Sequence, residues 1–242
     1  NYIPLAIIST YGTTGTVAFD SINEIALIAK KYKIWHHIDA AYAGSALFLD
    51  EYKKDINNIK HADSFLFNPH KWMLTNFDCS LYYVKDEEKL IKTLEIHPEY
   101  LKTSSKNIKN YKDWSIQLGR RFRALKLWFV IRSYGINGIK KYLKNHINLA
   151  KYLKDIILND ENFELTTKQN MNMINFRFNP KKSKNNSEIN KLNIRLIDKL
   201  NKTGKIYLSH TMINNIYSIR MPIGSTTVGT SSWLALTHQG CT

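Results

Sequence analysis

Apolar and polar positions in the first part of the chain fall into blocks that predict alternating strands and helices. Residues 5–10 form an apolar run typical of a buried strand, and residues 34–39 form a second strand-like run. Between them, residues 22–33 repeat apolar positions at the spacing of a helix face. A strand, a helix and a strand at this short spacing predict a βαβ unit, and therefore a parallel sheet.

The same pattern extends this first unit to about residue 135. Its remaining early elements are two strands, a short helix and a polar, lysine-rich stretch without periodicity, which indicates an exposed loop. These elements are expected at residues 62–68, 80–84, 87–94 and 97–117, respectively.

A helix with one apolar face is expected over residues 120–134. Trp128 and Phe129 belong to that face, and the pattern places them in the core. Gly135 follows, and glycine commonly ends a helix because it accepts a positive φ. The first domain is therefore expected to span residues 1–135.

The pattern changes after residue 135. A long amphipathic helix precedes four short strands and one further helix, which predicts a small α+β domain over residues 136–228. Residues 229–242 do not fit this pattern and are set apart as an atypical tail. The helices are expected at residues 139–158 and 188–200, and the strands at residues 163–167, 173–178, 205–210 and 217–221.

Composition indicates a folded chain and narrows its environment. Apolar residues make up 43% of the 242 residues, which is enough to build a core. Apolar runs are shorter than a membrane span and two cysteines make no disulfide framework, so a cytoplasmic protein without a membrane partner is expected. Histidines and cysteines do not have the spacing of a metal site, and no metal is expected. Because the chain opens at Asn1, close to a strand, the first domain is expected to lack its N-terminal part.

The formal net charge of +15 makes nucleic-acid binding an alternative. The lysines are scattered with asparagines along whole helices, as in residues 140–154 and 181–205, and aromatic residues do not alternate with them in a basic motif. Solvated helix faces are the simpler explanation of the charge. No nucleic-acid partner is therefore expected.

Two charged residues follow strands of the predicted parallel sheet. Asp39 ends the second strand, and Lys71 comes shortly after the strand at residues 62–68. Parallel sheets bind ligands at the carboxyl ends of their strands, so both side chains could face one cleft. A carboxylate there could pair with a protonated ring nitrogen, and a lysine could form an imine. Taken singly, a turn-capping aspartate and a surface lysine are the simpler interpretations.

These two residues belong to a larger set of motifs in a fixed order. The motifs are Gly-Thr-Thr at 12–14, His-Ile-Asp-Ala-Ala-Tyr-Ala-Gly-Ser at 37–45, Ala-Asp-Ser at 62–64, Asn-Pro-His-Lys-Trp at 68–72, Asn-Phe-Asp-Cys-Ser at 76–80, Pro-Glu-Tyr-Leu at 98–101 and Leu-Gly-Arg-Arg-Phe-Arg at 118–123. From about residue 3 to Val228 the chain resembles the group II amino-acid decarboxylases, which depend on pyridoxal 5'-phosphate (PLP). Trp72 and the motif at 76–80 favour the branch of aromatic-L-amino-acid and histidine decarboxylases.

The resemblance implies an α/β domain of PLP fold type I with a mostly parallel sheet, only part of which is present, followed by the smaller α+β domain. It implies that Lys71 holds PLP as a covalent Schiff base and that Asp39 pairs with the pyridine nitrogen. Ala41 would pack on one face of the ring, where a larger side chain would displace it. The other residues implied to lie beside the cofactor are Thr14, Asn68 as a phosphate contact, and His70 as either a catalytic contact or a structural neighbour.

Tyr100 lies in the polar loop. The decarboxylases that the chain resembles use a tyrosine here to protonate the carbon that has lost CO₂, whereas related aldehyde synthases carry phenylalanine. By this resemblance Tyr100 is a catalytic residue, and its presence favours simple decarboxylation.

The implied activity is decarboxylation of an L-amino acid, with tyrosine, dopa or tryptophan as expected types, to an amine and CO₂ by a homodimer. An aldehyde synthase of the same fold and a truncated, non-catalytic remnant are the alternatives. Family members carry much of their substrate pocket before the equivalent of residue 3. The 242 residues alone are therefore expected to be inactive, and the particular substrate is not fixed by them.

Overall fold

A computed structural model of the chain describes residues 2–95, 111–180 and 182–225. Within these residues the chain forms two four-stranded sheets with helices packed against them. The elements of the first unit are β1 (Ala6–Thr10), α1 (Ile22–Tyr32), β2 (Trp35–Asp39), α2 (Lys53–Ile59), β3 (Ser64–Phe67), α3 (Pro69–Trp72), β4 (Leu81–Val84) and α4 (Glu87–Leu94). Those that follow are α5 (Arg123–Asn159), β5 (Phe163–Leu165), β6 (Met173–Phe178), α6 (Asn186–Lys202), β7 (Ser209–Ile213) and β8 (Ile216–Pro222).

The first sheet has the strand order β1-β2-β3-β4. Strands β1, β2 and β3 are parallel, and β4 returns antiparallel to β3. The register places Asp39 between Thr10 of β1 and Leu66 of β3. The βαβ unit expected from the sequence is confirmed, and Asp39 is the last residue of β2.

Only one face of this sheet is well covered by the described residues. His36 and Ile38 are buried, while Trp35, His37 and Asp39 on the same strand are half-buried, as expected when successive side chains point to opposite faces. Ile8, the β1 partner of His37, is 67% exposed. The half-buried face is therefore the one that carries Asp39.

A short 3₁₀ segment, Ala43–Phe48, follows β2 and packs closely on β3. Gly44 makes this approach possible, because a Cβ at this position would lie 2.4 Å from the Cβ of Phe67. Together with Ala40 and Ala43, both fully buried, it lets the chain turn tightly just after Asp39. This turn fixes the direction in which the chain leaves the carboxyl end of β2.

Helix α5 runs through the point where the sequence pattern predicted an end. Gly135 has φ 62° and ψ 171°, which is a kink between two helical segments rather than a terminus. After the kink, Ile139, Leu143 and Ile147 are buried in the core of the first unit. The later turns of α5 pack on the second sheet.

The prediction that Trp128 and Phe129 lie in the core is wrong within this chain. Their side chains are 53% and 55% exposed, and Leu125 and Ile131 on the same helical segment and Phe122 just before it are exposed as well. The pattern identified an apolar helix face correctly, but no described element covers that face. These exposed residues are referred to below as the apolar face of α5.

The second sheet has the strand order β5-β6-β8-β7 and is antiparallel throughout. Its core joins the last turns of α5 to α6 and β8 through residues such as Leu153, Ile197 and Ile219. The strand expected at residues 205–210 begins only at Ser209. The N–H and carbonyl of Leu208 bond with the side-chain amide of Asn201 instead of joining the sheet.

Candidate active site

Asp39 stands at the carboxyl end of β2, where its neighbours leave part of the carboxylate available. The N–H of Ala41 donates to Oδ1 of Asp39 at 2.9 Å, and no described residue bonds to Oδ2. The neighbouring His37 ring bonds through Nδ1 to the Ser64 hydroxyl at 2.8 Å. Burial lowers the pKa of His37, against a smaller opposing effect of Asp39, so this ring stays neutral at pH 7 and leaves the Asp39 charge unbalanced.

Lys71 lies in the single helical turn α3, which starts directly after β3. Pro69 at the first turn suits a helix start, and the N–H of Lys71 donates to the Asn68 carbonyl at 2.9 Å. The Lys71 side chain is exposed, and its amine forms no ion pair or hydrogen bond with the described residues. The amine is therefore free to react with a ligand.

The backbone joins the Asp39 and Lys71 segments directly. The N–H of Ala40 donates to the Leu66 carbonyl at 2.9 Å, and the N–H of Asn68 donates to the Ala41 carbonyl at 3.1 Å. The chain after β2 and the chain after β3 therefore run side by side past the ends of their strands. This arrangement brings Asp39, Ala41, Asn68 and Lys71 to one edge of the sheet, as the strand order predicts.

Thr14 lies in a turn that follows β1, at the same edge of the sheet. Gly12 enters the turn with φ 89°, and the N–H of Val17 closes it on the Thr13 carbonyl at 2.9 Å. The Thr14 side chain is exposed, and its hydroxyl has no partner in the described residues. A hydroxyl in this state is available to a ligand at the strand ends.

Asn68 and His70 flank the Lys71 turn with side chains already engaged on one side. The Ser80 hydroxyl donates to Oδ1 of Asn68, which leaves the amide N–H₂ of Asn68 for another acceptor. Nδ1 of His70 lies 2.7 Å from the Cys79 carbonyl and 2.9 Å from the Cys79 nitrogen, so either tautomer has a backbone partner. Only Nε2 of His70 remains for contact with a ligand.

The loop after Lys71 is tied to the start of α5 by an ion pair that the sequence did not reveal. Arg123 donates through Nε to Oδ2 of Asp78 at 3.0 Å, with its NH2 group 2.9 Å from the same oxygen. This hydrogen bond lowers the pKa of Asp78 to about 2. The pair fixes the loop that faces His70 and Asn68.

The second sheet also reaches the site, through the turn that carries Thr14. Nε of Arg220 in β8 donates to the Thr14 carbonyl at 2.8 Å, and the amide of Asn175 in β6 donates to the Gly15 carbonyl at 3.1 Å. Asn170 donates to the Val17 carbonyl at 3.2 Å. Sequence reasoning missed these three residues, because they are more than 150 positions away from the turn and carry no local motif.

Some expected features lie outside what the structure describes. Tyr100 falls among residues 96–110, outside the described residues. Within the described ranges, no helix is both long and apolar enough to cross a membrane. The same ranges contain no group of three or more histidine, cysteine, aspartate or glutamate side chains that could hold a metal ion.

The fold and the candidate site define a class of protein. A parallel sheet with an aspartate and a lysine at neighbouring strand ends, followed by a smaller α+β unit, is the architecture of PLP fold type I. The conserved domain of the pyridoxal-dependent decarboxylases matches residues 1–179. The chain therefore belongs to the pyridoxal-dependent decarboxylase family.

Individual relatives agree with this assignment. The chain is 44% identical to tryptophan decarboxylase 2 of Oryza sativa subsp. japonica and 42% identical to tyrosine decarboxylase 3 of Petroselinum crispum. The alignments cover 92% and 93% of this chain but 45% of each relative. It is 38% identical to phenylacetaldehyde synthase of a Rosa hybrid cultivar, over 93% of this chain and 46% of that protein.

Solved structures give the same picture. The crystal structure of Oryza sativa TDC with PLP and tryptamine superposes with a TM-score of 0.90 at 33% identity, covering 96% of this chain and 49% of that one. The chain thus spans about half the length of the relatives that it matches.

Proposed function

We propose that this chain forms part of a PLP-dependent enzyme that decarboxylates an aromatic L-amino acid to an amine and CO₂. The observation that carries the proposal is the pairing of two strand ends, in which the Asn68 N–H donates to the Ala41 carbonyl. This pairing brings an acceptor carboxylate, Asp39, and a free amine, Lys71, to one edge of the sheet. The tryptophan and tyrosine decarboxylases among the relatives support an aromatic substrate.

The residues at this edge fit the chemistry of PLP. A pyridine nitrogen needs an anionic acceptor, and Oδ2 of Asp39 is open. An aldehyde needs an unpaired primary amine, and that of Lys71 has no partner in the described residues. A phosphate needs hydrogen-bond donors, and the Asn68 amide and the Thr14 hydroxyl can supply them.

Each residue then has a defined task. Lys71 would hold the cofactor covalently, and Asp39 would keep its ring nitrogen protonated, because a nearby anion raises the pKa of a base. Ala41 would leave room for the ring. His70, whose Nδ1 is bonded to the Cys79 backbone, would contribute through Nε2. When bound, the cofactor supplies an electron sink for the bond that breaks as CO₂ leaves.

Tyr100 completes the proposal as the acid that protonates the substrate carbon after CO₂ has left. The alternative is an aldehyde synthase, which the rose relative makes a specific second candidate. The two activities differ in products: decarboxylation gives one amine per CO₂, whereas aldehyde synthesis also consumes oxygen and releases peroxide and ammonia. We expect amine from the wild type, and aldehyde with peroxide from Tyr100→Phe.

We further propose that the protein is a cytoplasmic homodimer whose only other partner is the amino-acid substrate. We also propose that the chain divides into a first domain over residues 1–135, a second over residues 136–228 and an atypical tail over residues 229–242. The non-helical backbone at Gly135 supports this boundary, and Ile139, Leu143 and Ile147 beyond it join the second unit to the core of the first. The apolar face of α5 supports an interface with another part of the assembled protein, since exposed apolar patches mark such contacts. Sedimentation of the holoprotein tests the dimer, and a monomer at micromolar concentration would contradict it.

The visible spectrum of the holoprotein tests the central proposal. We expect a visible absorbance band of bound PLP. Borohydride adds hydride to the C=N bond between the lysine and the cofactor, so this band should disappear on reduction while the reduced cofactor stays on the protein through dialysis. Lys71→Ala should abolish this retention. The control Lys85→Ala replaces an exposed lysine directly after β4 and should leave the retention unchanged. Equal retention in the two variants would exclude Lys71 as the attachment point.

A further inference from the structure

The residue after Lys71 is held by a buried hydrogen bond that crosses the molecule. Trp72 closes α3 and is 3% exposed. Its indole N–H donates to Nδ1 of His146, in the second half of α5, at 3.1 Å. Nε2 of the same histidine lies 3.2 Å from the Ser225 carbonyl, just beyond β8. A single ring thus connects the Lys71 turn to the end of the second sheet.

The partners of His146 admit only one protonation state. An indole N–H can only donate, so Nδ1 of His146 must carry a lone pair. A carbonyl can only accept, so Nε2 must carry the hydrogen. The ring is therefore the neutral Nε2–H tautomer, in agreement with burial, which lowers the pKa of His146.

A second connection runs beside the first. The Tyr42 ring stacks on Trp72, with centroids 5.9 Å apart and planes 14° apart. Burial raises the pKa of Tyr42 to about 12, so its hydroxyl stays protonated and donates to Oδ1 of Asn172 at 3.1 Å. The Asn172 amide donates in turn to the Ile223 carbonyl at 2.7 Å. Both connections therefore end on residues 223–225.

We propose that His146 is a positioning residue of the active site, which acts through Trp72 to fix the turn that carries Lys71. The inference rests on the proposed function, because the direction of the Lys71 amine matters only if Lys71 reacts with PLP. Four residues of helix are too short to hold their own orientation. The indole on one side of the turn is anchored to α5, so the Lys71 amine leaves the turn in a defined direction.

Packing alone does not explain this arrangement. A buried histidine loses its water contacts, and in return it pairs with the Trp72 indole N–H and the Ser225 carbonyl, which an apolar side chain of similar volume would leave without partners. A polar residue here confers orientation instead, because its two hydrogen bonds allow one position of the indole. Reaction at a lysine requires such positioning, and a displacement of about 1 Å can cost on the order of a hundredfold in rate.

Three variants and a matched control separate positioning from stability in the PLP-loaded full-length protein. His146→Leu removes both hydrogen bonds, Trp72→Phe removes the donor, and His146→Asn keeps an acceptor and a donor in one amide. Asn193→Leu serves as the control, because Asn193 is fully buried and hydrogen-bonded to Ile189 and to both backbone groups of Phe178 in the second unit. Both leucine variants should lower the Tm.

Three readouts should respond to loss of the hydrogen bond between Trp72 and His146. The indole N–H resonance of Trp72, assigned among the five tryptophans by its loss in Trp72→Phe, should shift in His146→Leu and return towards the wild-type position in His146→Asn. The visible circular dichroism of bound PLP should change in His146→Leu and Trp72→Phe, and kcat should fall about tenfold with KM within about twofold. Asn193→Leu should change neither the resonance nor the circular dichroism.

The outcomes are distinct. An unchanged indole resonance in His146→Leu, or equal effects of His146→Leu and Asn193→Leu on the dichroism, overturns the positioning role while leaving PLP binding intact. A wild-type protein that does not retain PLP at Lys71 overturns the proposed function first, and the positioning role with it.

Discussion

At the scale of single residues, the charge of Asp39 can be tested separately from its hydrogen bond with the Ala41 N–H. Asp39→Asn keeps an oxygen for the Ala41 N–H but removes the negative charge. A neighbouring anion changes the pKa of a base by about 1–3 units, so the loss should lower kcat by about tenfold to a thousandfold. Steady-state kinetics on the PLP-loaded full-length protein, of which this chain forms part, measure this effect. Activity within a factor of about two of wild type would show that Asp39 does not serve the ring nitrogen.

The ion pair between Asp78 and Arg123 leads to a second prediction at this scale. Its hydrogen bond lowers the pKa of Asp78 from 3.8 to about 2. A carboxylate with a depressed folded pKa stabilises the fold above its unfolded pKa, and that stability is lost as pH falls towards the folded value. In Arg123→Gln, the pKa of Asp78, followed by its carboxyl resonance, should rise from about 2 towards its ordinary value, while Arg121 and Lys126, within 4.0 Å of the same carboxylate, continue to oppose the rise.

The matched control for this titration is Lys53→Gln, since Lys53 pairs with an exposed carboxylate, Asp50, elsewhere in the chain. Lys53→Gln should leave the Asp78 titration in place. An Asp78 pKa that stays near 2 in Arg123→Gln would assign the shift to another cause.

Residue-scale features of the site were predictable only where they follow local pattern. Asp39 and Lys71 could be placed because each comes directly after a strand-like run, and parallel strand ends share an edge. Arg220 and Asn175 could not be placed, because their bonds to the Thr14 turn depend on how two sheets meet. His146 lies on a helix face where an apolar residue would fit the pattern equally well. Its hydrogen bond with the indole of Trp72 was therefore not predictable either.

At the scale of elements, the contact between the 3₁₀ segment and β3 is the most sensitive to added volume. A Cβ on Gly44 would lie 2.4 Å from Cβ of Phe67, so one of the two elements must shift. Gly44→Ala should lower the free energy of unfolding by about 1–3 kcal/mol, the usual cost of overpacking. Chemical denaturation measures this difference.

Gly119→Ala is the matched control, because a Cβ there meets nothing within 4 Å. It should change the free energy of unfolding by less than about 0.5 kcal/mol. Equal effects of the two substitutions would show that the contact with Phe67 is relaxed in solution.

Helix α5 shows what apolar periodicity can and cannot establish. The pattern identified both helical segments and their division near Gly135, and the backbone at Gly135 departs from helical geometry there. The pattern also marked the apolar face with Trp128 and Phe129, but it could not show that this face lacks cover within the described residues. Periodicity reports which side of a helix avoids water, and it does not identify what lies against that side.

At the scale of the whole molecule, polar side chains connect the two sheets at the candidate site. The turn with Thr14 is bonded by Arg220 and Asn175, and the turn with Lys71 is connected through Trp72 to His146. The second unit therefore contributes to the site by holding two of its turns. Such a connection joins the stability of the second unit to the geometry of the first.

Buried histidines give the molecule a stability that depends on pH. Burial is the main cause that lowers the pKa of His36, His37 and His146 from 6.5. Below pH 6.5 the unfolded chain therefore binds more protons than the folded one, and the free energy of unfolding falls as pH drops towards the folded pKa values. Denaturant midpoints should decrease between about pH 7 and pH 5, above the range where the carboxylates titrate.

His146→Asn should weaken this dependence, whereas His61→Gln, at an exposed position, should preserve it. A midpoint that is constant over this range, or that rises as pH falls, would show that these rings are protonated in the folded protein.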